Sequence, residues 1–313
     1  MASHSDKKIA EGLEHLRLAD KCMKTSLFKW KPDTDGAVAE YNKAATAFRN
    51  AKAYEQAKES YIKAGDLQKN VNSAYEQAGL LSKENKEYDE AVHWMELAAL
   101  MFQEHGTPDT AALCLDKAAK MVEQDKPEKA IHLYTKACDV AECEGRPRQS
   151  AEFIGKAGRL QVKCFKFDEA IKSLQQEIKY WMEAENYAYI RKVAMGIILV
   201  HLSQEDYVAA DQFFRGCLSY PEFGASEEAG ALEDLLRAYD DGDEETGSLV
   251  LARPIFKYLD NMFAKLARDM KFPGGISTSR SAATTSSYSQ QEDGDKGGGD
   301  EEEEEEEIPS ELC

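Results

Sequence analysis

Tyr54-Glu55-Gln56-Ala57, followed by Tyr61 and Ala64, sets out a pattern that the rest of the chain repeats. It runs aromatic, two residues, alanine, three residues, bulky apolar, two residues, small. It returns as Tyr88/Ala91/Met95/Ala98 and, with proline leading, as Pro127/Ala130/Tyr134/Ala137. Phe167/Ala170/Leu174 and Tyr207/Ala210/Phe214/Cys217 complete the series. The leading alanines are 34, 39, 40 and 40 residues apart. A self-similar period of that size marks a helical solenoid. Steps of three and four place the named positions on one helical face. Alanine there admits a second helix at close range, and the aromatic fills the groove beside it.

Working outward, the pattern predicts an all-α, TPR-like α-α solenoid, a twisted sheet of helical hairpins over 1–219. A first helix covers 6–25, with Ile9, Leu13 and Leu16 on its apolar stripe. Hairpins follow at 37–50 with 54–67, 71–84 with 88–104, 109–123 with 127–143, 148–163 with 167–183, and 187–202 with 207–219. Pro108 and Pro127 stand at helix starts, where a missing N–H costs nothing, and Asp33, Thr34 or Asp35 can cap the helix after Pro32. The period is lost after Tyr220-Pro221. Residues 226–240, 243–251 and 254–271 read as a C-terminal helical bundle spanning 220–272. Ile255, Phe256, Leu259, Met262, Phe263, Leu266 and Met270 lie on one stripe of its last helix. Residues 273–313, rich in Ser, Gly and Glu, lack the apolar content to fold and read as a disordered acidic tail.

The net charge of −19 is concentrated at the C-terminal end. Residues 226–245 carry −8 and residues 273–313 carry −10, so the remainder is near neutral. An acidic end on a neutral solenoid argues against nucleic acid and for a basic protein surface as partner. The N-terminus has no apolar signal region. Ala2 excludes myristoylation, and the longest apolar run, Ala194 to Val200, is too short for a membrane span. Seven cysteines with no CxxC pair read as reduced, buried thiols of a cytosolic protein. No cofactor or metal is expected.

Three constellations are candidates for function. Leu27, Phe28 and Trp30 lie among Lys21, Lys24, Lys29 and Lys31 in a loop ended by Pro32. Such a loop can insert weakly at an anionic membrane surface; the alternative is that Phe28 and Trp30 cap the open edge of the first hairpin. Arg148, Lys156, Arg159 and Lys163 on one helix, and Arg191 and Lys192 on the equivalent helix of the next hairpin, offer a track for an acidic protein ligand. The alternative is a solvated charged face. Asp240-Asp241-Gly242-Asp243-Glu244 superficially reads DDxxE, the kind of run that holds Mg²⁺, but Gly242 breaks its helix. No GxxxxGK, GxSxG or HExxH occurs anywhere. The chain is therefore expected to be no enzyme.

The Tyr-x-x-Ala hairpins, the hydrophobic loop after the first helix, the acidic terminal bundle and the near-terminal leucine, in that order, resemble the soluble NSF attachment protein (SNAP) family, and most of all its gamma branch. The resemblance covers about residues 5–272 and the last few residues. It implies an adaptor in vesicle-mediated, ER–Golgi and other intracellular transport, lying in several copies along a syntaxin-type SNARE four-helix bundle. The adaptor recruits and stimulates the AAA+ ATPase NSF, which takes the bundle apart after membrane fusion. It also implies a cytoplasmic protein peripherally held at Golgi, ER and vesicle membranes. In the family's pattern Leu27 and Phe28 match the membrane-touching pair. Asp240 and Asp241, following Leu235-Leu236-Arg237-Ala238, match the ATPase-contacting acids, with Glu244 and Glu245 beside them. Leu312 matches the leucine that stimulates hydrolysis. The family's SNARE-binding basic positions fall on Thr107 and Leu113 here, so Lys117, Lys120, Lys156, Arg159, Lys163, Arg191 and Lys192 are the replacement surface. Arg237 stands where alpha-type relatives carry an acid. The competing readings are a general TPR-like scaffold or co-chaperone and, third, a Mg-dependent enzyme using the aspartate-rich run.

Overall fold

The computed structural model describes residues 4–25, 30–67 and 72–273, which form helices and turns with no strand among them. The N-terminal helices are α1 (His4–Met23), α2 (Thr34–Asn50), α3 (Tyr54–Leu67), α4 (Asn72–Glu84) and α5 (Tyr88–Glu104). The middle holds α6 (Pro108–Val122), α7 (Pro127–Cys143), α8 (Pro147–Lys163), α9 (Phe167–Glu183), α10 (Tyr187–Ser203) and α11 (Tyr207–Cys217). Four short helices follow: α12 (Glu227–Asp240), α13 (Glu244–Leu251), α14 (Pro254–Lys257) and α15 (Asn261–Arg268). From α1 to α13 each helix packs on the one before and the one after, the arrangement of a stack of antiparallel hairpins.

The repeated motif is the seam of that stack. Its leading alanines, Ala57, Ala91, Ala130, Ala170 and Ala210, are completely buried, and Tyr61, Met95, Tyr134, Leu174 and Phe214 are buried one turn on. The leading aromatics are less covered than the pattern suggests: Tyr54, Phe167 and Tyr207 are half-buried and Tyr88 is exposed, because they stand at the first turn, beside the hairpin edge.

The tight links between helices have a shared backbone solution. Lys52, Lys86, Phe165, Glu185 and Glu205 adopt positive φ, as do Gly106 and Gly145. In each case the following N–H donates back into the finished helix, as Lys166 N does to the Gln161 carbonyl at 2.9 Å. This is the left-handed C-terminal cap, and it reverses the chain within three residues. Pro108, Pro127 and Pro147 open α6, α7 and α8, and the Asp33 carboxylate accepts from Gly36 N to cap α2.

Polar rungs tie one hairpin to the next. On one edge Lys58 pairs with Glu87 and Glu90, Lys126 with Asp89 at 2.5 Å, and Lys166 with Glu128 at 2.6 Å, while Gln204 donates to Asp168 at 3.2 Å. Burial opposes the charge on Lys58, but Glu55, Glu90 and Glu87 outweigh it and raise its pKa. Along the first helices of the hairpins Lys117 reaches Glu76 and Lys156 reaches Asp116, both at 2.5 Å.

The C-terminal segment departs from expectation at one point. The stripe over 254–271 predicts a single helix, but the chain breaks at Tyr258-Leu259-Asp260 between α14 and α15. Asp260, which precedes α15, makes no capping bond there; its carboxylate takes a hydrogen bond from Arg159 Nε on α8 instead. A contact 101 residues away overrides the local periodicity. α15 then lies against α10 and α8, and Phe263 enters a hollow above Gly196 that a Cβ would close, at 2.7 Å from the ring.

Candidate interaction surfaces

The turn between α12 and α13 is acidic and exposed. Ser226 caps α12 by accepting from Ala229 N, and Asp243 caps α13 by accepting from Thr246 N at 3.0 Å. Asp243 is therefore committed to the fold. Asp240, Asp241, Glu244 and Glu245 are exposed and make no ion pair among the described residues. Burial, and next Asp240, lift the Tyr207 phenol above its ordinary range, with Asp211 and Asp241 adding to the effect. The Tyr207 ring stacks on that of Tyr239, the residue before Asp240, at 6.2 Å, which sets the acidic turn beside the start of α11, on the edge that carries the rungs. Among the described residues no three His, Cys, Asp or Glu side chains converge as a metal site requires. Leu312 lies outside the described residues.

The basic residues are more heavily engaged than their spacing suggests. Arg159 donates to both oxygens of Glu177, at 2.8 and 3.2 Å, as well as to Asp260, and its guanidinium lies 5.9 Å from the Phe263 ring centroid. Burial works against its charge, yet Glu177 and Asp260 hold its pKa above the usual value. Glu177 also accepts from Trp181 Nε1 at 3.1 Å, and burial pushes its carboxyl upward. Arg191 is held by Glu228 at 3.3 Å and Glu222 at 3.9 Å. Lys120 and Lys156 share the buried carboxylate of Asp116, and Lys117 pairs with Glu76. Lys163 is exposed, and Lys192 is exposed beside Tyr189, whose ring stacks on Trp181 at 4.5 Å. Arg148 is exposed as well, and Leu113 is half-exposed on α6.

Leu27, Phe28 and Lys29 of the basic-aromatic loop lie outside the described residues. Its described ends, Lys24 and Trp30, are exposed, Trp30 to 90%. Trp30 precedes α2 and the Lys52 turn follows it, so the two stand about 25 Å apart along that helix at 1.5 Å per residue. Of the cysteines, Cys114, Cys138 and Cys217 are buried, and burial lifts the Cys138 thiol to about 11; Cys22 and Cys164 are partly covered and Cys143 is exposed.

Periodicity could not reveal Asp116, Glu177 and Asp260, the acids that occupy the predicted cations. One signal was available. From Val193 to Val200 α10 is apolar all round, and every residue of that stretch is buried. A stretch of this kind is covered on every side, so this half of α10 had to lie under a further layer.

The sequence model described as "Soluble NSF attachment protein, SNAP" matches residues 10–258. A gamma-soluble NSF attachment protein of Dictyostelium discoideum is 30% identical over 272 residues, 85% of this chain and 84% of that protein. One from Arabidopsis thaliana is 29% identical over 288 residues, 89% of this chain and 95% of that protein. An alpha-soluble NSF attachment protein of Saccharomyces cerevisiae is 26% identical over 223 residues, 64% of this chain and 73% of that protein. The family model spans most of the chain, and a relative 30% identical to it is covered over 84% of its length, so the chain belongs to the soluble NSF attachment protein family.

Proposed function

We propose that the chain is an adaptor without catalytic activity of its own, which binds SNARE four-helix bundles and brings the ATPase NSF to them for disassembly in vesicular transport. The family match over residues 10–258 carries this reading. The acidic turn gives it a physical basis: Asp240, Asp241, Glu244 and Glu245 present unpaired negative charge on an edge of the stack, suited to a basic partner surface. Leu312 acts in stimulating hydrolysis. The SNARE bundle meets the cations that stay accessible, Lys163 and Lys192 first, with Lys117, Lys120 and Lys156 exchanging Glu76 and Asp116 for the ligand's acids. Arg159 and Arg191 act as internal anchors for that surface. Leu27 and Phe28, with Trp30, Lys24 and Lys29, make a weak contact with the cytosolic face of the membrane. No described helix is long and apolar enough to cross one.

Co-sedimentation of the full chain with NSF, with and without a SNARE bundle, tests the adaptor. Recruitment that depends on the bundle is expected; none in either case overturns the reading. ATP hydrolysis by NSF should fall with Leu312→Ala, and equal stimulation removes that assignment.

A further inference from the structure

The edge that carries the acidic turn follows a rule that breaks twice. After the leading aromatic or proline comes an acid in four hairpins, Glu55, Asp89, Glu128 and Asp168, each bonded to the next hairpin. In the fifth the position is Val208, 74% exposed. Two residues before that aromatic, the left-handed position holds Lys52, Lys86 and Glu205 but also Phe165, at φ +60 and 73% exposed. A bulky side chain in that region costs about 1–2 kcal/mol, and an exposed ring recovers none of it by burial.

The two exceptions lie on consecutive links of that edge. Gln204, four residues before Val208, donates to Asp168, three residues after Phe165, and Tyr207, next to Val208, stacks its ring at 6.2 Å on Tyr239, the residue before Asp240. Phe165 meets the ring of Phe167 edge-on at 6.0 Å, which holds it in place. A scattered exposed apolar residue needs no explanation, but two of them on consecutive links of one edge, next to an acidic turn, have the makeup of a protein contact, with apolar anchors and charge beside them.

We propose that Phe165 and Val208 are apolar anchors of a docking surface whose charged half is the acidic turn, and that its occupant is a basic protein surface bearing an apolar recess. This rests on the reading that the acidic turn meets the ATPase, and it assigns the anchoring contact to two residues outside that turn.

The two halves can be separated with the full chain and the NSF hexamer on immobilised SNARE bundles. Phe165→Gly suits the positive φ, and Val208→Glu restores the acid of the other hairpins in the first turn of α11, so the double variant should melt no lower than wild type. Its affinity for NSF should fall about tenfold or more. Because Val208→Glu adds negative charge, a surface working by charge alone would bind the basic partner more tightly. Asp240→Lys/Asp241→Lys should weaken binding and flatten its salt dependence. Loss with the charge reversal but not with Phe165→Gly/Val208→Glu overturns the anchors and leaves the adaptor reading standing. Indifference to both, or no binding by wild type, overturns both.

Discussion

α6 and α10 hold the same place in their hairpins and are built oppositely. α6 is amphipathic and turns Asp116, Lys117 and Lys120 toward the rungs, whereas α10 from Val193 to Val200 is apolar around its whole circumference. Asp116 pairs with Lys156 forty residues on, and forty further stands Gly196. Where the next rung would be, the backbone is bare and the Phe263 ring rests on it. Beyond the apolar seam that all the hairpins share, the first helices are therefore joined by charge at Asp116 and Lys156, and at Gly196 by the hydrocarbon of the chain's own C-terminal helices.

The strongest way to break this contrast is at Arg159, which serves both halves. Arg159→Ala strands the buried Glu177 and releases Asp260, and should destabilise by about 3–5 kcal/mol, seen in chemical denaturation. Arg159→Met with Glu177→Met should recover much of that loss, since well-packed apolar groups replace a buried ion pair at little cost; a double variant as weak as the single one would show that the charge is needed for itself. Next in size, Gly196→Ala should cost about 1–3 kcal/mol by forcing Phe263 outward. In a Phe263→Ala background the same substitution should cost almost nothing, because the two share one contact. Asp116→Asn removes the charge held between Lys120 and Lys156 and should cost about 1–3 kcal/mol, while also raising the affinity of that face for an acidic ligand.

The smallest effect should come from pH. Burial lowers the His201 pKa, against the pull of Asp206 and Asp168. The unfolded chain then binds the proton more readily, so stability declines as pH falls through the unfolded value of about 6.5 and on to the folded one. The drop in melting temperature between pH 7.5 and pH 5.5 should be smaller in His201→Gln than in wild type.

The fold was legible because its signal is local and repeated. Ala57, Ala91, Ala130, Ala170 and Ala210 can lie at zero exposure only where a second helix arrives, and each position states this independently. The candidate surfaces were legible in sign and not in availability. Lys156 and Arg159 read as cations on a helix face, which they are, but Asp116 and Asp260, which hold them, lie 40 and 101 residues away. No window of helical period spans that distance. The break at Tyr258 to Asp260 is hidden for a like reason, since the stripe through Met262 and Phe263 is unbroken in sequence and the partner of Asp260 at the break, Arg159, lies 101 residues away. Val208 and Phe165 could have been flagged by aligning the repeats with one another, where an apolar residue replaces a charged one at two edge positions.

The two kinds of joint also imply a graded mechanical response. A lysine rung is a point charge on a flexible stem; when neighbouring hairpins shear, it can let go of one carboxylate oxygen and take another, and salt softens it further. Close-packed hydrocarbon such as Phe263 over Gly196 has no such neighbouring minimum. Under a pulling load the hairpins from α3 to α9 should therefore yield more readily than the α10–α15 end. Pulling experiments in low and high salt should find the first part's stiffness falling with ionic strength more steeply than the second part's.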